Sequence, residues 1–446
     1  MKKILQYTYV LLAMVAPFAA SAQQAKPYDM MVNGVKVIVQ PSGNDIVVIQ
    51  TVVKGGVQNY PADKAGIENL ALTALTECGT LKDDKNSFKD KLDKVSAYVS
   101  GGSSMDYGSF NLNCIKSDLD AVWPLYVDAL TVPKFDAKEF ERIKQDAINN
   151  IRSTESSPDN AINKLAKQTA FAGTSYAKEP RGTVATITAL TQAETKKYWE
   201  STFTKSRIVI IVVADLDKAS IEAKVKELLA KVPAGAAFAG QKKNYTPAAN
   251  TFKAEERANA TNYVRGIASG PLPGTPDYTA FSLAMSIFAS KHFLEVRSKH
   301  GLSYAPQAWF NGGNTSYASL SVTTTEPDKY IAVARGLIDK IKKDGFTADE
   351  LKNEKTGFLT GIYYRNETNE AQASSMAANE VLHGDWKRSI TIKEAVDKVT
   401  LQQLNAAFNK YMNNITWVYQ GDPKKVTATM YTQKETPAMP AEKKAF

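Results

Sequence analysis

The sequence predicts an α+β protein of two homologous, duplicated domains, each a mixed, mostly antiparallel sheet with helices packed on one face. Three observations carry this reading. Strand-like and helix-like stretches do not alternate in strict βαβ order, which favours helices on one face of a sheet over a doubly wound nucleotide fold. The signals of the first half recur in the second. Phe135-Asp136-Ala137-Lys138-Glu139-Phe140-Glu141-Arg142 is echoed by Phe346-Thr347-Ala348-Asp349-Glu350-Leu351-Lys352-Asn353 at an offset of 211 residues, and Thr191-Gln192-Ala193-Glu194 by Thr400-Leu401-Gln402-Gln403 at 209. The apolar strand at Ile208 has its echo at Ile415, an offset of 207; order and spacing preserved together indicate duplication. Finally, 446 residues at 43% hydrophobic and 23% charged suffice for two cores.

The elements follow in order. Met31 to Val39 reads as a hairpin turning at Asn33-Gly34, and Ile46 to Val53 as a β-branched strand. Lys64 to Glu77 is helical, with Ile67, Leu70, Ala71 and Ala74 on one face and Gly79 past its end. A helix from Ser87 to Val95 precedes the alternating strand Ser109 to Cys114, which turns Phe110, Leu112 and Cys114 inward. Helices then span Asp118 to Leu130, Phe135 to Arg152, Asn160 to Phe171 and Thr191 to Phe203, before the strand Ile208 to Ala214. Gly312-Gly313 marks a hairpin between Trp309-Phe310 and Tyr317 to Val322. The expected boundaries are a first domain at 27–233, an Ala-, Gly-, Pro- and Asn-rich linker at 234–254, a second domain at 255–431 and a flexible tail at 432–446.

The N-terminus carries Lys2 and Lys3, an apolar run from Tyr9 to Ala16 and a small-residue site at Ala20-Ser21-Ala22. This reads as a secretory signal over 1–22, with export to the periplasm, or secretion where no outer membrane exists. The run is too short to span a membrane, no cysteine follows the cleavage site, and no later stretch reads as an anchor. Removing Lys2 and Lys3 from the 55 Lys and Arg leaves 53 against 46 Asp and Glu, a net of +7. That excess is scattered, so nucleic acid is not an expected partner. Cys78 and Cys114 are either a disulfide or two buried thiols.

The motif around which the second half is organised is Leu294-Glu295-Val296-Arg297-Ser298-Lys299-His300-Gly301-Leu302-Ser303-Tyr304. It reads as a helix end, a left-handed glycine stop and a strand start. Arg297 then sits on the last helical turn and Tyr304 on the strand beyond, two donor-bearing side chains in one neighbourhood, suited to hold a peptide or an anionic oxygen. The bland alternative is an Arg stacked on a Tyr to close a corner.

Taken together, Arg297-x3-Gly301-Leu302-x-Tyr304, the helix from Gly66 to Gly79-Thr80, the Phe140-Glu141-Arg142 helix running to Ser157-Pro158, and Arg181-Gly182-Thr183 ahead of Ile187 and Thr191 resemble the pitrilysin/insulinase family of metallopeptidases over nearly all of the mature chain. The resemblance implies a processing-peptidase-like fold. Active members carry H-x-x-E-H on the first of these helices, two His ligands and a general base, with a Glu ligand from the later helix. Laid on Gly66, that pattern puts Asn69 and Thr73 at the His positions and Leu72 at the base; counting back from Pro158 puts Asn149 at the Glu. Asn and Thr are weak neutral ligands and Leu accepts no proton. The register is open by one residue, but no His lies in this helix. His292-x-x-Glu295 lacks its second nitrogen ligand, so His292 is read as structural or surface, while Glu68 and Glu77 are read as solvated helix-face charges.

The resemblance therefore implies a non-zinc subunit with no metal of its own and no peptidase activity alone. It would bind peptides or unfolded polypeptide segments and lend Arg297 and Tyr304 to the active site of a zinc-motif partner in a heterodimer, zinc being held by that partner. The alternative is an inert peptide-binding or scaffold protein of the same fold. An independent hydrolase finds no nucleophile-base constellation among three dispersed His.

Overall fold

A computed structural model describes residues 26–258, 260–438, 440 and 442; the export signal expected at 1–22 lies outside them. The first half forms a six-stranded sheet from β1 (Tyr28–Val32), β2 (Val35–Pro41), β3 (Ile46–Lys54), β4 (Tyr98–Ser103), β5 (Tyr107–Ile115) and β6 (Ile208–Ala214), in the order β1-β2-β6-β3-β5-β4. Its helices are α1 (Ile67–Glu77), α2 (Lys85–Asp93), α3 (Leu119–Thr131), α4 (Ala137–Ser156), α5 (Pro158–Ala170), α6 (Val184–Ala189), α7 (Gln192–Thr202) and α8 (Lys218–Ala230). The second half forms a five-stranded sheet from β7 (Thr251–Glu256), β8 (Asn262–Ser269), β9 (Gln307–Asn311), β10 (Tyr317–Thr324) and β11 (Ile415–Gly421), in the order β7-β11-β8-β10-β9. With it go α9 (Asp277–Phe293), α10 (Pro327–Asp344), α11 (Ala348–Arg365), α12 (Asn369–His383), α13 (Arg388–Asp397), α14 (Leu401–Tyr411) and α15 (Ala428–Thr432).

The duplication is visible strand by strand. Without β1, the first sheet reads β2-β6-β3-β5-β4 and the second β7-β11-β8-β10-β9, with the single parallel pairing in the same place in each, β2 with β6 and β7 with β11. Local chemistry agrees. Asn33 and Gly34 both adopt positive φ in the β1–β2 turn, as a tight hairpin requires. Thr191 and Thr400 each cap their helix in a reciprocal capping box, with Glu194 and Gln403 respectively. On β5, Phe110, Leu112 and Cys114 are buried in alternation.

Each half also lends a helix to the other. The sheet face that α1 and α3 leave free is covered by the second half, where Ala373, Met376 and Ala377 of α12 and Trp386 just beyond it pack on Ile38, Val48, Val52, Val209, Ile211 and Val213. In return α5 lies against β8 and β11. This exchange explains why Ile208–Ala214 and Ile415–Gly421 are buried at every residue: a strand covered on both faces reads as one apolar run rather than an alternation. Lys36 pairs with Glu380 at 2.6 Å, and the indole Nε1 of Trp386 donates to Asp29 at 3.0 Å, so polar contacts join the halves around that core.

Strand β7 opens at Thr251, inside the stretch read as linker, because Thr416 to Gly421 of β11 offer a free edge for parallel pairing. The start of the stretch read as a flexible tail is held too. The buried Arg335 guanidinium donates to the carbonyls of Met430, Gln433, Lys434 and Glu435 at 2.7 to 3.2 Å. Cys78 and Cys114 are both free and buried, which resolves the alternative left open by the sequence. Burial pushes the Cys78 thiol up to about 12 and that of Cys114 up to about 11.

Candidate functional site in two separate places

The first place is a cleft of about 850 Å³ between α1, α4 and α5. Gly66 starts α1 at φ +93, where a Cβ would collide with Ile187 and the Arg181 carbonyl; the helix is thereby pressed onto the loop at Arg181-Gly182. Asn69 and Thr73, one turn apart, line the cleft. Asn69 Oδ1 accepts from the Ser103 amide of β4 at 3.2 Å, and the Thr73 hydroxyl donates to the Asn69 carbonyl at 2.9 Å. Leu72 points the other way. It is wholly buried against β4 and β5, where the absence of a Cβ at Gly101 and Gly108 makes room for it. On α4 the facing stripe is Arg142, Asp146, Asn150 and Thr154, spaced four apart.

Asn149 is exposed and does not line the cleft; Asn150 does. The apolar phase of α4, with Phe140, Ile143, Ala147, Ile148 and Ile151 turned toward the protein, was the signal that fixes this, whereas a count back from Pro158 carries no phase. Glu68 is also misplaced by the sequence reading. It is 1% exposed, and accepts from Asn59 at 2.9 Å, Ser103 at 2.8 Å and the Tyr198 hydroxyl. Burial raises its pKa, and those three hydrogen bonds oppose the shift. A carboxyl in this position ties the first turn of α1 to β4 and α7. Glu77 is half-buried rather than solvated, bonded to Arg142 at 2.6 Å and Lys89 at 2.5 Å. Burial opposes its ionisation, but the two cations outweigh it and hold the carboxyl below its ordinary range.

The donor set does not fit zinc. Among the described residues no group of three or more His, Cys, Asp or Glu could hold a metal. The acids that line the cleft are each paired with a cation: Arg142 reaches Glu77 at 2.6 Å and Asp146 at 2.8 Å, and also Glu139 at 2.6 Å, while Glu155 is bonded to Lys164 and Glu179 lies 3.8 Å from Lys167. A guanidinium bonded to three carboxylates leaves them little capacity for a divalent cation. His292 is fully buried 3.1 Å from the Tyr330 hydroxyl, and burial pushes it down to about 3, so it is a neutral core residue as expected.

The second place is the end of α9. Instead of stopping, the helix widens into a π-helical turn over Leu294–Lys299, with Val296 anchored in the core. Glu295 braces the turn through Lys299 at 3.0 Å and the buried His300 at 3.6 Å. Gly301 then adopts φ +61, the left-handed stop expected. Tyr304 does not lie on a strand: it sits in a bend, and β9 starts at Gln307. The π turn and bend bring the two side chains into direct contact, the Arg297 guanidinium carbon 4.0 Å from the Tyr304 ring centre and 5.1 Å from that of Phe293. Tyr304 is 79% exposed, and no ion pair to Arg297 is present among the described residues. Stacking on a ring satisfies the face of a guanidinium but leaves its N–H edges free to donate. Neither residue lines the α1–α4 cleft, whose walls come from the first half.

The architecture is a duplicated α+β fold whose first-half cleft has no metal-binding set among the described residues. The model of the insulinase family, peptidase family M16, matches residues 36–184, and that of the peptidase M16 inactive domain matches residues 189–358. The chain is 20% identical over 335 residues to the uncharacterized zinc protease YmxG of Bacillus subtilis, covering 73% of this chain and 81% of that one. Among solved structures it resembles a peptidase M16 inactive domain from Pseudomonas fluorescens at TM-score 0.80 and 19% identity, covering 89% of this chain and 98% of that one. It also resembles the periplasmic protease PqqL from Escherichia coli at TM-score 0.75 and 14% identity, covering 90% of this chain and 47% of that one. The chain belongs to the insulinase/pitrilysin family of peptidases.

Proposed function

We propose that this chain is a non-catalytic subunit of an exported, periplasmic heterodimeric zinc peptidase. It encloses peptide substrates and presents Arg297 and Tyr304 to the active site of a zinc-motif partner. The observation that carries the reading is the contrast between the two places. At the α1–α4 cleft, Asn69, Thr73 and Asn150 supply neither a metal site nor a base, and Leu72 is turned away from it, while a half-buried Arg297 is stacked on an exposed Tyr304 away from that cleft. A guanidinium with free edges holds peptide carbonyls, and a phenol donates to an oxygen that gains negative charge. Placed on an open surface, such a pair acts only when a second chain brings the reacting centre to it. PqqL, about twice as long as the part this chain matches, has room for a second unit of this size. Among the described residues no helix is long and apolar enough to cross a membrane.

The test is copurification with an H-x-x-E-H chain encoded beside this one, followed by peptide hydrolysis. The wild-type pair is expected to be active and this chain alone inactive. Arg297→Ala and Tyr304→Phe are each expected to lower turnover on the order of a hundredfold without loss of copurification. Full activity from the partner alone, or from both variants, favours the inert binding or scaffold protein instead.

A further inference from the structure

The duplication gives the second half its own counterpart of the α1–α4 cleft. It lies between α9 and α11 beside β9, with a volume of about 460 Å³. At the offset of 211 residues, the cleft-facing positions Asp146 and Asn150 of α4 correspond to Gly357 and Gly361 of α11, and both glycines line the second cleft. Glycine inside a helix is less stable than alanine, so two of them on one face call for a reason. Close packing does not supply it. A Cβ at Gly357 would meet nothing within 4 Å, and one at Gly361 only the tip of Arg365 at 3.9 Å. Neither glycine has positive φ. What they do is keep the cleft wide, opposite walls of mixed character in which Met285, Phe310 and Phe358 stand beside Ser282 and Ser286.

Three further features define what would enter. The cleft is bordered by β9, an edge strand paired only with β10, whose outer backbone donors and acceptors are available to an added strand. Ala289, Ala308 and Trp309 line both this cleft and a neighbouring cavity of about 630 Å³, which reaches Phe293 and so borders the Arg297–Tyr304 stack. Glu354 and Arg365 line the cleft from α11, neither in an ion pair among the described residues.

We propose that the α9–α11 cleft is a side-chain pocket for a large apolar residue of an extended peptide laid along the free edge of β9. The peptide is the one whose main chain Arg297 and Tyr304 hold further along the same trough. The inference rests on the proposed function for the identity of the ligand. It adds a preference that the partner's metal site cannot impose: bulky apolar residues at a fixed distance from the bond that is cut.

The test uses the purified full chain and two fluorescein-labelled dodecapeptides that differ only in a central Phe or Ala, with binding read by fluorescence anisotropy. The Phe peptide is expected to bind about tenfold tighter or more, as burial of an aromatic ring implies. Gly357→Leu and Gly361→Leu fill the cleft and are expected to remove that difference. Because leucine favours the helix over glycine, these variants should keep or raise the melting temperature. Gly357→Ala, which stabilises the helix yet fills little space, should retain the preference. Equal binding of the two peptides by wild type, absence of binding by the Phe peptide, or a preference that survives both leucine variants overturns the pocket. Partner-dependent turnover that is lost in Arg297→Ala but shows no Phe preference overturns the pocket alone. A Phe preference in binding with turnover indifferent to Arg297→Ala supports the pocket and overturns the subunit reading.

Discussion

Glu68 offers the sharpest test of how the first-half cleft is held. Its carboxyl is buried, receives three hydrogen bonds and has its pKa raised by burial. The folded chain therefore keeps a proton at pH values where the unfolded chain, with an ordinary Glu near 4.5, has released it. Stability from this group is complete below the unfolded pKa and is lost as pH rises through the folded one. The slope in that window approaches about 1.4 kcal/mol per pH unit for a single proton. Glu68→Gln keeps the shape, and its amide can accept from Asn59 and Tyr198 and donate to the Ser103 hydroxyl, so it carries no such slope. Urea midpoints measured from pH 4 upward should show the glutamine variant gaining on wild type until the folded pKa is passed, then a constant gap. Glu68→Ala instead leaves Asn59, Ser103 and Tyr198 without their acceptor and should cost on the order of 3 kcal/mol. Parallel pH profiles for wild type and Glu68→Gln would refute the account of Glu68 as a buried, reluctantly ionised group.

Replacing Asn69 and Thr73 by His and Asn150 by Glu places three ligands on the two facing helices, and about one zinc per chain is expected by elemental analysis after dialysis. The same His pair with Asn149→Glu in place of Asn150→Glu should fail to retain it, since Asn149 does not line the cleft. Trp386→Ala removes a ring buried between the halves and its 3.0 Å bond to Asp29, and should lower stability by about 3 to 5 kcal/mol in calorimetry. Cys78 and Cys114, buried and with raised pKa values, should resist alkylation at pH 8 until the chain is unfolded, and reductant should leave the melting temperature unchanged.

The parts of the fold legible in the sequence were those set by local chemistry. The Asn33-Gly34 turn, the Thr191 and Thr400 caps, the glycine stop at Gly301 and the apolar runs at Ile208 and Ile415 all signal themselves within a few residues. Edge strand β4 was missed because Tyr98-Val99-Ser100-Gly101-Gly102-Ser103 lacks β-branched alternation. Its Gly101 serves the approach of Leu72 from α1, a tertiary demand that leaves no periodic trace. The exchange of α5 and α12 was equally invisible, since a helix that covers another domain's sheet looks locally like one that covers its own.

The same division runs through the candidate site. Arg297 and Tyr304 could be paired from spacing, yet the π turn that sets their contact arises from anchors on both sides, Val296 in the core and Glu295 against His300 and Lys299, none of which is a pattern in sequence. Glu68 was read as a surface charge because helical phase alone places it beside Asn69; only the arrival of Asn59, Ser103 and Tyr198 from elsewhere in the first half makes its burial tolerable. The first cleft is thus framed by bonded side chains rather than by metal ligands, with Arg142 bridging three carboxylates between α1 and α4. The second cleft, at corresponding positions, has traded side chains for glycine. A frame preserved without chemistry in one half and space held open at a cost to the helix in the other are what a chain needs if its task is to receive a peptide, and leave the cutting to another.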